Sequence, residues 1–261
     1  MKIPVFSIII PCYNQGNFLS DCINSIQNQK NGSWEVWIIN DGSGDDTAQI
    51  GEEYSIQNSK INYLYQTNQG LSAARNFGMN QAKGDFLLFL DADDWLEPDL
   101  LSKYIELISS NPSFQLFRCG YAYWDHPAGY CFHRHNPSGE GEIFPEVLTQ
   151  NIGPCHSILI NRKFAEKLGG FDIRLKSCED WDFWIRAGRS GAKILSTSEV
   201  LVAYRYVPYS MSRNPKVMYE SLSEVSRRVG EMDVRLPQSA PYKEPFSSTT
   251  QKSKRNIFFL Y

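Results

Sequence analysis

Apolar runs of five to six residues alternate along the first part of the chain with segments whose apolar positions recur every three or four residues. Val5 to Ile10 is rich in β-branched residues, the pattern of a strand buried on both faces of a parallel sheet. From Asn17 on, Phe18, Leu19, Cys22, Ile23 and Ile26 share one helical face. Trp34 to Ile39 predicts a second strand, and the polar tip Asn40 to Asp46 turns the chain and caps a following helix. Ile61 to Tyr65 and Phe86 to Leu90 predict two more strands, with a helix over Leu71 to Ala82 between them. Strands separated by helical segments, joined by short connections, predict an α/β half with parallel strands and right-handed crossovers.

Pro98 to Ser109 reads as a helix opened by its proline. Phe114 to Tyr123 reads as a strand, and Asp125 to Gly141, with its histidines, prolines and glycines, as a loop or loose hairpin. Ser157 to Asn161 predicts a short strand. Lys163 to Leu168 predicts a short helix ended by Gly169-Gly170, and Glu179 to Gly188 another with Trp181, Trp184 and Ile185 as its buried positions. Val200 to Tyr206 is strand-like and Val217 to Val229 helical. Residues 236 to 255 look weakly ordered, and the terminal Asn256 to Tyr261 is apolar enough to dock on the body or on a partner. The expected organisation is a catalytic domain over 1–213, with a donor half over about 1–95 and an acceptor half over about 96–213, followed by a helical or weakly ordered tail over 214–261.

With 261 residues, 42% of them apolar and 21% charged, the composition is that of a globular protein, and the net charge of -3 offers no general attraction for nucleic acid. Six cysteines without C-x-x-C spacing predict free thiols in a reducing compartment. The apolar N-terminal run is too short for a signal peptide, and no window approaches the roughly 20 apolar residues of a membrane span. A cytoplasmic protein is expected, with the basic stretch Lys252 to Arg255 as a candidate contact to anionic lipid at the inner membrane face.

Ligands of open α/β sheets bind at the carboxyl ends of the strands. Those ends carry Pro11-Cys12-Tyr13-Asn14, Asn40-Asp41-Gly42-Ser43 and Asp91-Ala92-Asp93-Asp94. Several carboxylates on one rim repel each other unless a cation or hydrogen-bond donors lie between them. Mg2+ or Mn2+, held by few carboxylates plus phosphate oxygens, suits the Asp91/Asp93 pair, whose alternative role is helix capping. No P-loop and no G-x-G-x-x-G follows the first strand. Arg75 is then the best-placed cation for donor phosphates or the nearby acids, a surface ion pair being its other reading. Glu179-Asp180-Trp181-Asp182 opens a helix that acidic residues favour. A carboxylate held there against Trp181 and Trp184 would have its pKa raised toward that of a general base.

Ser7 to Asn14, Ile39 to Thr47, Asn68 to Asn76 and Leu90 to Asp94, with Gly169-Gly170-Phe171-Asp172 and Glu179-Asp180-Trp181-Asp182-Phe183, resemble family 2 glycosyltransferases over residues 3 to about 213. The resemblance implies a GT-A fold: a Rossmann-like, mostly parallel central sheet with flanking helices, followed here by a short helical appendage. It implies inverting transfer from a nucleotide sugar, UDP-linked by preference, to a carbohydrate or lipid-linked acceptor, with Mn2+ or Mg2+. Pro11, Tyr13, Asn14, Asp41, Arg75, Asp91, Ala92 and Asp93 would bind the donor, with Tyr13 stacking on the base, Asp41 bonding to it and Asp91 facing the ribose. Asp93 would bind the metal and Asp180 would take the acceptor's proton. Glu179, Trp181, His156 and Arg205 would shape or support the acceptor side.

One departure concerns Tyr204 to Ser212, where Val207 stands in place of a histidine that the family often uses near the metal or diphosphate; either the metal is held more loosely by Asp93, phosphates and water, or Arg205 and the serines do more of the phosphate binding. His126, His133 and His135 match no standard metal spacing, so their loop is read instead as an acceptor wall where Tyr123, Trp124 and Tyr130 stack on sugars. Rival readings are a catalytically inactive nucleotide-sugar-binding protein of this fold and a sugar nucleotidyltransferase, whose glycine-rich phosphate loop is missing from Pro11 to Asn17.

Overall fold

The computed structural model describes residues 5–246 except 126 and 209. In chain order, the N-terminal part runs β1 (Val5–Cys12), α1 (Gly16–Gln27), β2 (Ser33–Asp41), α2 (Thr47–Gln57), β3 (Ile61–Gln66), α3 (Leu71–Gln81) and β4 (Phe86–Phe89). Next come β5 (Trp95–Leu96), α4 (Leu100–Ser110), β6 (Leu116–Asp125), β7 (Tyr130–His135), β8 (Glu140–Glu142), β9 (Ile158–Asn161) and α5 (Arg162–Lys167). The chain closes with α6 (Glu179–Arg189), β10 (Lys193–Arg205) and α7 (Pro215–Val229).

One sheet has the order β3-β2-β1-β4-β9-β6-β10-β5, with β7 added to β6 and β8 to β10. β3, β2, β1 and β4 are mutually parallel, as are β6 and β10, whereas β9 runs antiparallel to both β4 and β6. Alternate residues of the central strands feed two cores. Ile9, Ile39, Leu87 and Phe89 pack with Ala74 of α3 and Phe183 and Trp184 of α6, and Ile8, Ile10, Val36, Ile38 and Leu88 pack with α1 and α4. Burial on both faces is why these strands read as apolar runs without alternation. Each such side chain stabilises the fold by roughly 1.5–3 kcal/mol.

The antiparallel β9 determines what meets what. Because it runs against β4, its amino end lies at the edge where β1, β2 and β4 have their carboxyl ends. β6 and β10, running with β4, also end there. One rim therefore gathers Cys12, Asp41 and Asp91, the residues just before Ile158, Trp124 of β6 and Arg205 of β10.

Two expectations change. Tyr130–His135, read as loop or loose hairpin, is a true strand paired with β6, and its side chains are almost all exposed, so it lacks the alternation that marks a half-buried strand. Residues 236–246, read as weakly ordered, pack on the body: Tyr242 N–H donates to the Arg189 carbonyl, and the Tyr242 ring stacks on Phe144 at 4.0 Å. Lys252 to Arg255 and Asn256 to Tyr261 lie outside the described residues. Among those described, no helix is long and apolar enough to cross a membrane, and all six cysteines are free.

Candidate active site

The first wall of the rim is a pair of laced loops. Asn14, held at φ +54, donates its N–H to Ser43 Oγ at 3.0 Å and accepts from Gly44 N–H through Oδ1 at 2.8 Å. Gly16 N–H donates to Asp45 Oδ2 at 2.9 Å. A non-glycine residue at positive φ is costly and persists where its surroundings enforce it. The loop lifts Tyr13 out of the protein with 53% of its surface exposed, leaving its ring a free face, while Pro11 and Ala92 are buried behind the rim.

Asp41 is buried, and its carboxylate accepts from Gln66 Nε2 at 2.7 Å and from the N–H groups of Gln69 and Gly70 at 2.8 Å each. It thus holds the 66–70 loop that leads into α3. Gly42 is required beside it: at φ +76, a Cβ would come within 2.8 Å of the Asn68 backbone nitrogen.

The acid loop after β4 is fastened from β10. Arg205 donates its backbone N–H to Asp94 Oδ1 at 2.7 Å, its Nε–H to the Asp93 carbonyl at 2.7 Å and an Nη2–H to Asp21 at 3.1 Å. Its guanidinium lies between the rings of Phe18 and Trp95, at 4.8 and 5.0 Å. Burial and the neighbouring Asp91 push the Asp93 carboxyl up to about 6, and burial with Asp93 and Asp91 pushes Asp94 well above the carboxylate range. These are the marks of carboxylates crowded without enough compensating charge.

His156, from the turn before β9, is fully buried, with Nδ1 3.0 Å from Asp94 Oδ2. Neither ring nitrogen has an aligned hydrogen-bond partner. Asp91, Asp94 and His156 each present one ligand atom within 4.8 Å of the others, and a carboxylate–imidazole set suits Mn2+. Asp93 lies outside this three-residue group, although it neighbours it in the same loop. Burial pushes the His156 pKa down to about 4, so its imidazole is expected to be neutral at pH 5.5 in nitrogen-detected NMR spectra of the metal-free protein. The sign for stability follows: the unfolded histidine protonates near 6.5, so this contribution is present above that value and is lost as pH falls toward 4.

Across the rim, Arg75 joins the two halves. It is 2% exposed, donates from Nη2 to Asp91 and from Nη1 to Glu179, each at 2.6 Å, and lies 5.3 Å from the Phe171 ring centre. Its neighbour Asn76 bonds both ways to the Phe171 backbone, at 2.7 and 2.8 Å. Gly170, at φ +74, leaves room for Asn76 where a Cβ would collide with its side chain. Asp180 is half-buried; Oδ2 accepts from Asn151 at 3.0 Å and Oδ1 from the Trp181 N–H at 2.7 Å. Burial, then the charge of Glu179, pushes its carboxyl up to about 6. Cys178, just ahead of α6, sits at φ +56, an unfavourable conformation that sets how the helix enters the site.

The expected residues thus divide by environment. Tyr13, Asn14, Arg75, Asp91, Asp93, Asp94, Glu179, Asp180 and His156 share the rim, while Asp41 and Arg205 brace its loops. Trp181 is buried and donates Nε1–H to the Val147 carbonyl at 2.7 Å, which makes it an anchor of α6. Sequence reading missed Asn151 and Asp21, isolated polar residues in no motif. It singled out Tyr123, whose ring contacts Tyr204 at 4.9 Å and Phe132 at 5.8 Å, but not those two neighbours. Tyr204 in turn packs on His156 at 5.2 Å, so a line of rings runs from exposed Phe132 to the acid loop. His133 and His135 join no candidate metal group among the described residues, and His126 and Tyr209 lie outside them.

Comparisons with known proteins agree with this architecture. The chain is 28% identical over 212 residues to a putative teichuronic acid biosynthesis glycosyltransferase, TuaG, of Bacillus subtilis, covering 81% of this chain and 82% of that one. It is 27% identical over 233 residues to the uncharacterized glycosyltransferase EpsJ of the same organism, covering 82% and 64%. The chain spans about one third of the relatives EpsH of B. subtilis and GlyA of Streptococcus pneumoniae, at 35% and 34%, and under two thirds of EpsJ. Among solved structures, TarS of S. aureus in complex with UDP-GlcNAc matches with a TM-score of 0.70 at 22% identity, covering 86% of this chain and 66% of that one. The mannosyltransferase PcManGT of Pyrobaculum calidifontis, in complex with GDP-Man and Mn2+, matches with a TM-score of 0.65 at 16% identity, covering 93% and 68%. These structures share the GT-A fold expected from the sequence. Glycosyl transferase family 2 matches residues 7–169, more than half of the chain, and the chain belongs to that family.

Proposed function

We propose that this chain transfers a sugar, with inversion, from a nucleotide diphosphate donor to a hydroxyl of a carbohydrate or lipid-linked acceptor, using Asp180 as the base. The observation that carries this reading is the Arg75 bridge, which holds the donor-side acid loop at Asp91 and the base-bearing helix at Glu179 across one rim. A UDP-sugar is the preferred donor, supported by the UDP-GlcNAc complex of TarS. A cell-envelope polymer is the preferred acceptor, supported by the description of TuaG; contact with the inner face of the membrane belongs to the same proposal.

The exposed Tyr13 ring would stack on the base, and the loop braced by Asp41 would border it. Asp91 would face the ribose. Asp180 accepts the acceptor's hydroxyl proton as the oxygen attacks the anomeric carbon from the side opposite the diphosphate, and the bond to the departing diphosphate oxygen breaks. A base raised to about 6 is ionised at neutral pH yet basic enough for this transfer. The aromatic line from Phe132 to Tyr204 would border the acceptor's sugar. A divalent ion held by Asp93 with Asp91, and by Asp94 and His156 in place of the histidine missing at Val207, would supply positive charge to the leaving diphosphate.

Calorimetric titration of UDP with and without Mn2+ tests the donor half. Wild type is expected to bind UDP more tightly with Mn2+, and Asp93→Ala to lose about 100-fold of that affinity. Equal binding by both proteins, or binding indifferent to the ion, would remove Asp93 from the donor site.

A further inference from the structure

Residues 215–246 supply none of the rim residues named above, yet they reach the helix that bears Asp180. Arg228 of α7 donates to Asp172 Oδ2 at 2.9 Å and to Asp182 Oδ1 at 3.1 Å. Arg235, beyond α7, donates to Asp172 at 2.9 Å and to both oxygens of Asp182 at 3.0 and 2.9 Å. Asp233 in turn accepts from Arg235 at 2.7 Å. Asp182 is buried and stands in the first turn of α6, two residues after Asp180; Asp172 ends the Gly169-Gly170-Phe171-Asp172 turn that Arg75 and Asn76 hold. The same segment grips the other end of α6: Arg189 donates to the Val229 carbonyl at 2.6 Å, and its own carbonyl accepts from Tyr242 at 3.1 Å.

We propose that residues 215–246 form a positioning clamp in which Arg228 and Arg235 fix the first turn of α6, and so hold Asp180 in place for proton removal; the proposal rests on the role assigned to Asp180 above. The first turn of α6 gains from acids near its positive end, yet several carboxylates packed together repel one another unless cations neutralise them. It carries Glu179, Asp180 and Asp182 together, beside Asp172, and its preceding residue Cys178 makes no capping bond through its side chain. Burial opposes ionisation of Asp172, yet Arg174 and Arg228 hold its carboxyl well below the usual range. Arg186 also reaches Asp182, at 3.0 Å, but it belongs to α6 and ties it to the Leu168 and Gly170 carbonyls. Arg75 on Glu179 and Asn151 on Asp180 also reach this turn from outside, and on Asp182 the bonds from beyond α6 are those of Arg228 and Arg235. Planar bidentate pairing of this kind fixes direction as well as distance, which a lysine cannot reproduce.

Two readouts on the full chain test this, with Arg235→Ala, Arg228→Ala, Arg235→Lys and the exposed Arg227→Ala as control. Amide hydrogen exchange is expected to quicken at least tenfold over 179–185 in the alanine variants and to stay at wild-type rates in β1 and β4. Donor turnover is expected to show kcat at least tenfold lower with donor KM within twofold of wild type, partial recovery in Arg235→Lys, and no change in Arg227→Ala. Should the alanine variants fail to fold, Arg235→Lys carries the test with a several-fold loss in kcat at unchanged KM. A lowered melting temperature with wild-type kcat and wild-type exchange over 179–185, measured below the transition, would overturn the clamp. Wild type without turnover of any nucleotide sugar, combined with quickened exchange in α6, would instead overturn the role of Asp180 and leave the mechanical link standing.

Discussion

Asp180→Asn is expected to lower kcat by about 100- to 10,000-fold while leaving donor KM nearly unchanged, the signature of losing a proton acceptor that acts only in the transition state. Asparagine keeps the shape and its one oxygen can still accept from the Trp181 N–H as Asp180 Oδ1 does, while its NH2 takes the place of the Oδ2 that accepts from Asn151; the unchanged donor KM then marks the loss as chemical. Wild-type kcat should fall as pH drops below about 6, because burial and Glu179 hold the carboxyl protonated up to that value. The stability sign runs the other way. A carboxyl whose folded pKa is raised binds its proton more tightly in the native state, so stability declines as pH rises from the unfolded value near 3.9 toward 6. Removing that charge therefore stabilises Asp180→Asn at pH 7, against the cost of the hydrogen bond from Asn151, so its stability should lie close to that of wild type. Steady-state kinetics from pH 5 to 8 with thermal melts on the same samples check both statements, and a variant that keeps wild-type kcat would remove Asp180 from the chemistry.

Arg75→Ala is expected to have the largest effect on stability. It strips the partner from buried Glu179 and from Asp91, and breaking a buried pair by deleting one member costs about 3–5 kcal/mol, a fall in melting temperature on the order of 10 °C for a chain of this size. Arg75→Lys should recover little, because a single ammonium cannot occupy both carboxylate sites in the directions that a guanidinium does. A loss below about 1 kcal/mol would show the bridge to be no stronger than an exposed ion pair.

The N-terminal half of the fold was legible because its strands are buried on both faces: Val5 to Ile10 and Phe86 to Leu90 have no polar face to confuse the pattern. The rim was legible for a related reason. Asp41, Asp91 and Asp93 stand at or just past the ends of apolar strand segments, and Asp180 stands in a run of acids that opens a helix. The surroundings of the other site residues, which the sequence does not show, depend on contacts between residues far apart in the chain. His156 has no metal-like spacing to any neighbour, and only the reversal of β9 against β4 carries it to Asp94. Arg205 was expected to support the acceptor side; its guanidinium braces the acid loop between two rings, an arrangement no local pattern signals. Tyr130–His135 forms a strand through pairing with β6 alone, and Arg228 and Arg235 look like ordinary surface residues of a polar tail.

Donor turnover, measured as release of nucleoside diphosphate from UDP-, GDP- and dTDP-sugars with Mn2+, Mg2+ or EDTA, tests the transferase reading most directly. Release is expected from one class of nucleotide sugar, UDP-linked by preference, suppressed by EDTA and lost in Asp180→Asn. Absence of release from every donor, together with absence of metal-dependent donor binding in the same samples, would contradict that reading and leave a family member that has lost its transferase site.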